Sequence, residues 1–252
     1  MNIVVFGATG MIGTRIAAEL KQRGHAVTAA TRATGADVTD PPSVASVAAG
    51  ADAVVSAVSA RGMSYTLADV APALVEGVRE AGVRRLLVVG GAGSLEVAPD
   101  KRLLDTPDFP EEWKPEAIAH TKALDYYRSV EDLDWTFVSP APFIHPGERT
   151  GRYRLGGDQL LVDDNRNSEI SAEDYAIAIA DLLEKGGRER ERITVGWLPT
   201  QLPIDRSTSP SGLGWTWAVV GGSEAAVDVV IDDADVLHEC VHARGPDETV
   251  SL

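Results

Sequence analysis

The sequence predicts an α/β fold: a doubly wound parallel sheet with helices on both faces, followed by a short acidic C-terminal appendage. Two observations carry this. Short β-branched apolar runs alternate with amphipathic helical stretches as far as Trp197. Most of those runs are continuously apolar, the pattern of strands buried on both faces. Right-handed crossovers then leave the doubly wound arrangement as the leading topology.

The elements follow in order. NIVVFG (2–7) is a buried strand ended by glycine. MIGTRIAAELKQRG (11–24) is a helix with Ile12, Ile16 and Leu20 on one face and Gly24 as its stop. HAVTAATR (25–32) is a strand, DPPSVASVAAG (40–50) a short helix with proline in its first turn, and ADAVVSAVS (51–59) a strand. Residues 64–82 form a helix with a kink expected near Pro72. VRRLLVVGGAG (83–93) is a strand running into glycines. PEAIAHTKALDYYRSV (115–130) is a helix and DWTFVSPAPF (134–143) a strand leaving through prolines. SAEDYAIAIADLLEK (171–185) is a helix with Ser171 as N-cap and Asp174 at N3, close to a capping box. RITVGW (192–197) is a last strand.

After Trp197 the texture changes. Residues 199–214 are rich in Pro, Ser, Thr and Gly and read as a linker. A strand (227–232) and a helix (233–244) are expected beyond it. Residues 199–252 hold nine acids against two arginines and are too few to bury much core alone. The expected division is therefore a main α/β domain over 1–198 and an appendage over 199–252.

Composition excludes several functions. The formal charge of −15 disfavours nucleic acid and anionic membrane as partners. One cysteine, Cys240, leaves no internal disulfide and fits a reducing compartment. No basic and apolar leader precedes the first strand, so a cytoplasmic protein, monomer or homodimer, is expected.

Gly7-Ala-Thr9-Gly10-Met11-Ile12-Gly13 is a G-x-x-G-x-x-G loop directly after a strand and directly before a helix. A tight turn there aims backbone N–H groups and the positive helix end at a pyrophosphate. The bland alternative is a glycine turn without ligand, but strand, loop and helix are all in place. NAD sites usually carry an acid at the end of the second strand. Here that strand ends Thr31-Arg32, and a guanidinium suits a 2′-phosphate. NADP is therefore favoured over NAD, with Thr34 and Gly35 as further donors. Asp37-Val38 is read as the next strand end, beside the adenine, although Asp37 can equally cap the turn before Pro41.

GATGMIG, ADVTD (36–40), VVGGAGSL (88–95), the helix around Lys122, DWTFVSP (134–140) and EISAEDYA (169–176) together resemble the atypical short-chain dehydrogenase/reductases. The likeness is to the NAD(P)H-binding branch with biliverdin reductase B, flavin or quinone reductases and NmrA-like sensors, a Rossmann fold. It covers about residues 1–198, and 150–171 resembles the branch's hairpin and re-entry to a helix. The resemblance implies cofactor contacts at the glycine loop, Arg32, Asp37 and Ala57-Val58-Ser59. It places Lys122 at the nicotinamide ribose. Ile118 stands four residues earlier, where typical members carry the catalytic tyrosine. Gly90-Gly91-Ala92 replace the usual serine cluster, with Ser94 slightly beyond. The Ser-Tyr-Lys proton relay is broken.

That loss limits the chemistry. Reduction of a plain ketone needs an acid for the alkoxide. Flavins, quinones and extended tetrapyrroles delocalise the incoming charge and need mainly to be held flat. The expected activity is thus NADPH-dependent reduction of a conjugated acceptor. A non-catalytic NADP(H) sensor is the alternative, and a sugar-nucleotide epimerase or dehydratase a weaker one. Lys122, His120 and Ser94 are the catalytic candidates. Trp113, Phe143 and Ile144 are the acceptor-pocket candidates. His120 can also be a half-exposed helix residue, and Phe143 plain core.

HECVH (238–242) matches the H-E-x-x-H zinc-protease pattern. No histidine follows to supply a third ligand, and no second lobe offers a cleft. The preferred reading is an amphipathic helix, and no metal site is expected.

Overall fold

The structure is a computed structural model that describes residues 1–197 and, beyond them, the backbone of three strands at 214–218, 226–232 and 236–237. The order is β1 (Asn2–Phe6), α1 (Met11–Gln22), β2 (Ala26–Ala30), α2 (Pro41–Ala48), β3 (Ala53–Ser56), α3 (Leu67–Glu80) and β4 (Arg85–Val89). A small hairpin, β5 (Glu96–Ala98) and β6 (Lys101–Arg102), precedes α4 (Lys114–Arg128). Then come β7 (Asp134–Pro140), β8 (Phe143–His145), β9 (Tyr153–Gly156), β10 (Glu169–Ser171), α5 (Ala172–Lys185) and β11 (Glu191–Trp197).

The main sheet runs β2-β1-β3-β4-β7-β11-β9. Every pairing is parallel except that of β9, which closes the edge antiparallel to β11. The chain winds outward from β1 to β2, then crosses back to β3 on the other side. That reversal opens a crevice between the C-terminal ends of β1 and β3.

Alternation along the strands explains the two cores. Val4 and Phe6 join Val54, Leu86, Val88 and Phe137 against α2, α3 and α4. Their neighbours Ile3 and Val5 join Val55, Leu87, Val138 and Ile193 against α1 and α5. Both faces are therefore apolar, as the continuous runs require. Each fully buried Leu, Val or Phe contributes about 1.5–3 kcal/mol relative to exposure.

The structure corrects four expectations. Asp37-Val38 ends no strand; residues 35–40 are turns and coil. Segment 150–171 is not a hairpin. β9 pairs with β11, while β10 lies parallel to β8. Ser171 does cap α5, its hydroxyl accepting from Asp174 N at 3.0 Å. The Asp174 carboxylate, however, does not complete a capping box. It accepts from Thr150 Oγ1 at 2.5 Å and Gly151 N at 2.8 Å, tying down the loop after β8. Arg149 adds a bidentate pair to the buried Glu19 of α1, and Gly147 N donates to Glu173. Finally, Val236–Leu237 pair with Ile231–Asp232 as strand where a helix was expected. The rest of that segment, HECVH included, lies outside the described residues.

Among the described residues no helix is long and apolar enough to cross a membrane.

Candidate functional site

The glycine loop shows three distinct reasons for glycine. Gly7 has φ +75°, and a Cβ there would lie 2.3 Å from the Ala57 carbonyl oxygen. At Gly13 a Cβ would lie 2.1 Å from the Gly7 oxygen, so α1 packs against its own strand only without a side chain. At Gly10 the nearest atom is Gly7 O at 3.4 Å, and the space is otherwise open. The first and third glycines thus serve the fold, and the middle one leaves room for a ligand. No side chain caps α1 at Gly10, so none competes with a ligand for its first-turn N–H groups. Thr14 Oγ1 donates to Ala8 O at 3.0 Å and fixes the loop.

Two cavities meet on this loop. The smaller, about 180 Å³, is lined by Gly7, Thr9, Arg32, Val38 and Tyr65 among others. The larger, about 440 Å³, is lined by Met11, Ile12, Arg61, Trp113, His120 and Ile144 among others. Gly10, Ala57, Val58 and Ser59 border both. Together they form one trough along the C-terminal edge of the sheet, across the crevice where the strand order reverses.

At the small end, Arg32 is exposed, and its guanidinium donates to Met63 Sδ at 3.5 Å. Among the described residues it has no carboxylate partner, so the charge is free for an anion. Thr34 and Gly35 are less available. Thr34 N donates to Thr31, Thr34 Oγ1 to Thr31 O, and Gly35 N to Arg32 O. Asp37 does not line the cavity. Its carboxylate accepts from Thr39 N and Oγ1 at 2.9 and 2.7 Å, bonds that hold its pKa below the usual carboxylate range. It caps its own turn, the alternative that the sequence left open, while Val38 lines the cavity wall.

The large end overturns more. Helix α4 presents Trp113 (its N-cap), Glu116, Ala117 and His120 to the cavity, a stripe at i, i+3, i+4 and i+7. Lys122 is exposed and outside that lining, half a turn past His120. Ile118 is 43% exposed and also outside it. The residues at the tyrosine–lysine spacing that do face the cavity are Glu116 and His120. Ser94 is buried, lines neither cavity, and its hydroxyl has no hydrogen-bond partner. Phe143 faces away from the cavity and stacks on His145, ring centroids 4.4 Å apart; Ile144, its strand neighbour, faces the cavity. Of the expected catalytic group only His120 is in place. Of the expected acceptor group Trp113 and Ile144 are.

His120 also explains the missing serine. A Cβ at Gly91 would lie 2.8 Å from its imidazole, and one at Gly90 would lie 2.2 Å from the Phe137 ring. The imidazole stands edge-on to Phe137 and fills the space a side chain would need. Burial pushes its pKa down to about 4. At neutral pH it is an uncharged donor and acceptor, which corrects the expectation of a ready acid. Glu116 lies 3.8 Å away, its carboxylate to His120 Nε2.

The opposite wall comes from Leu103, Phe109 and Trp113, of which the sequence had singled out Trp113 alone. Leu103, Leu104, Phe109 and Ala117 form a separate small core, with Ala92 and Trp113 packed on it. Residues 103–113 are thereby anchored as a lid segment, with Leu103 and Phe109 facing the cavity. The stripe Trp113–Glu116–His120 was the available signal for Glu116. The lid residues lie in a stretch without periodicity.

Known proteins resemble this chain in sequence and fold. A sequence model of the NAD(P)H-binding family matches residues 7–186. A candidate exported protein from Burkholderia pseudomallei is 51% identical, with TM-score 0.72, over 78% of this chain and 100% of its own. A candidate epimerase from Bacteroides thetaiotaomicron is 40% identical, with TM-score 0.73, over 80% and 99%. A candidate NADH-flavin reductase from Streptococcus pneumoniae is 38% identical, with TM-score 0.69, over 79% and 100%. With the family's sequence model matched over residues 7–186, this chain belongs to the NAD(P)H-binding family of Rossmann-fold proteins, among relatives of oxidoreductase type.

Proposed function

We propose that the protein is an NADPH-dependent reductase of a flat, conjugated acceptor such as a flavin or quinone. The observation that carries this is the chemistry of the trough's two ends. A free guanidinium stands at one end; aromatic and aliphatic walls without any tyrosine stand at the other.

The glycine loop fits a dinucleotide: Gly10 leaves space, and the uncapped α1 terminus offers N–H groups to a pyrophosphate. Arg32 favours the 2′-phosphorylated form, because its charge has no other partner. The dinucleotide, when bound, supplies the hydride. Ala57–Ser59 border the path from one cavity to the other, and Ile12 and Ile144 narrow the larger one. Trp113, Phe109 and Leu103 exclude water and hold a planar ring by apolar contact. His120, uncharged at neutral pH, offers one hydrogen bond and little acidity.

A ketone gains nothing here, since its alkoxide needs an acid. An acceptor that spreads charge over its ring takes a proton later from water. The test is NADPH oxidation with riboflavin, menadione and simple aldehydes and ketones. The expected outcome is turnover with the first two and rates lower by about 10²–10⁴ with the carbonyls. Rapid reduction of an unactivated ketone would refute the reading. Tight NADPH binding with no turnover on any acceptor would make the protein a sensor.

A further inference from the structure

The acceptor cavity is apolar apart from a few groups. One of them, Glu116, is a carboxylate with no cation to match it. Its side chain is 25% exposed and stands one helical turn from Trp113, at the end walled by Leu103 and Phe109. Among the described residues, the one basic group within 4 Å of it is His120, at 3.8 Å. Burial keeps that imidazole uncharged at neutral pH, so it does not neutralise the carboxylate. Arg61 lines the same cavity but forms no ion pair with Glu116. A carboxylate in such surroundings accepts hydrogen bonds and gives none. It favours a ligand that brings an N–H and penalises one that brings only carbonyl lone pairs.

We propose that Glu116 sets acceptor specificity by accepting a hydrogen bond from a ring N–H, so that the acceptor is a flavin-type ring with an imide N–H rather than a quinone. This rests on the reductase reading and narrows it. A quinone edge carries only oxygen acceptors, which would face the carboxylate lone pair to lone pair. A flavin ring presents an N–H between two carbonyls on its pyrimidine edge, and such an N–H is a donor of the required kind. His120 lies beside the carboxylate and, as a neutral imidazole, can donate to a neighbouring carbonyl of the same edge. The pair reads a donor and an acceptor side by side, which a quinone lacks.

The test separates binding from turnover. The probes are riboflavin, 3-methylriboflavin (its imide N–H blocked) and menadione. Binding is read by flavin fluorescence quenching on protein saturated with NADP⁺, and turnover by NADPH oxidation. The wild type should bind riboflavin about 10- to 100-fold more tightly than the methylated flavin, the scale of a charge-assisted hydrogen bond. Glu116→Ala should bring the two within about two-fold. It should raise menadione turnover, because the carboxylate lone pairs no longer oppose the quinone oxygens. Glu116→Gln, which keeps the shape and loses the charge, should fall between and controls for folding. Equal loss of both flavins in Glu116→Ala would overturn the proposal. So would equal binding of the two flavins by the wild type, or no flavin binding. Weaker NADP⁺ binding in Glu116→Ala, by as much as the loss of riboflavin, would show instead that the carboxylate holds the nicotinamide amide. Flavin turnover without methyl discrimination defeats this inference and leaves the reductase reading standing. Discrimination in binding without turnover does the reverse.

Discussion

The two ends of the trough obey different rules. The glycine-loop end is built from backbone: a positive φ at Gly7, a close approach at Gly13, an uncapped helix start at α1. The lid end is lined chiefly by side chains from two stretches, 103–120 and 140–144, beside the glycines after β4. Backbone sites tolerate little and are written in local sequence. Side-chain sites depend on which face of a helix turns inward, and that is decided by packing elsewhere. The first kind fixes a ligand shared by a whole family; the second leaves the acceptor free to vary.

The sharpest way to break this comparison is at the glycines. Gly13→Ala places a Cβ on the Gly7 carbonyl, so α1 must move off β1. We expect a loss of about 1–3 kcal/mol in stability, as for overpacking, together with loss of NADPH binding. Gly10→Ala meets only the open side of the loop and should keep its melting temperature within about 2 °C, since it adds no internal clash. It should still weaken NADPH by about ten-fold, because the methyl stands where the pyrophosphate approaches. Thermal melts and cofactor titrations decide both. Equal behaviour of the two variants would show that the loop has one role and not two.

Arg32 comes next. Arg32→Ala should weaken NADPH by about 1–3 kcal/mol, or roughly 5- to 150-fold, and leave NADH within about two-fold. The contact with Met63 carries no charge, so no other partner is left stranded. Equal loss for both cofactors in paired titrations would show that Arg32 does not read the 2′-phosphate.

His120 tests the lid end through stability. Its folded pKa, about 4, lies below the ordinary value of 6.5. Between these pH values the unfolded chain binds the proton more readily. Stability attributable to this group is therefore complete above pH 6.5 and is lost as pH falls toward 4. From pH 7 to 5 the loss should be about 2 kcal/mol on the standard linkage relation. Carboxylates titrate too, so the comparison is with His120→Gln, whose pH dependence should be flatter by that amount in urea unfolding at the two pH values. Parallel curves would mean that solvent in the cavity keeps the imidazole near its ordinary pKa.

The sequence made the frame legible because the central strands β1, β3, β4, β7 and β11 are buried on both faces and glycines, prolines and Ser171 punctuate the helices between them. The glycine loop was legible because its chemistry is local. Asp37 was left between two roles because an acid near a strand end reads alike whether it meets an adenine or closes its own turn with Thr39. Phe143 was misplaced because a three-residue strand alternates, and nothing local says which parity faces the cavity. On α4 the cavity-facing pair lies two residues before the pair that the resemblance implied. Family likeness pointed to Lys122, but the side of α4 that packs inward is set by α3, β7 and the small core at Leu104 and Phe109.

That last error yields the smallest expected effect and the cleanest one. Ile118 and Lys122 share one exposed face of α4, about 200° around the helix from the stripe ending at His120 at 100° per residue. Lys122→Ala should leave NADPH affinity and flavin turnover within about two-fold, the scatter of surface substitutions. Ile118→Tyr should not create ketone reduction, because the new hydroxyl would point to solvent. A ketone reductase arising from Ile118→Tyr, or a loss of ten-fold or more in Lys122→Ala, would place the family lysine at the cofactor after all. It would require α4 to rotate when the trough fills. Silence in both variants, set beside a strong effect of Glu116→Ala, would show that the positions facing the reaction are Glu116 and His120, two residues upstream of the pair the pattern suggests.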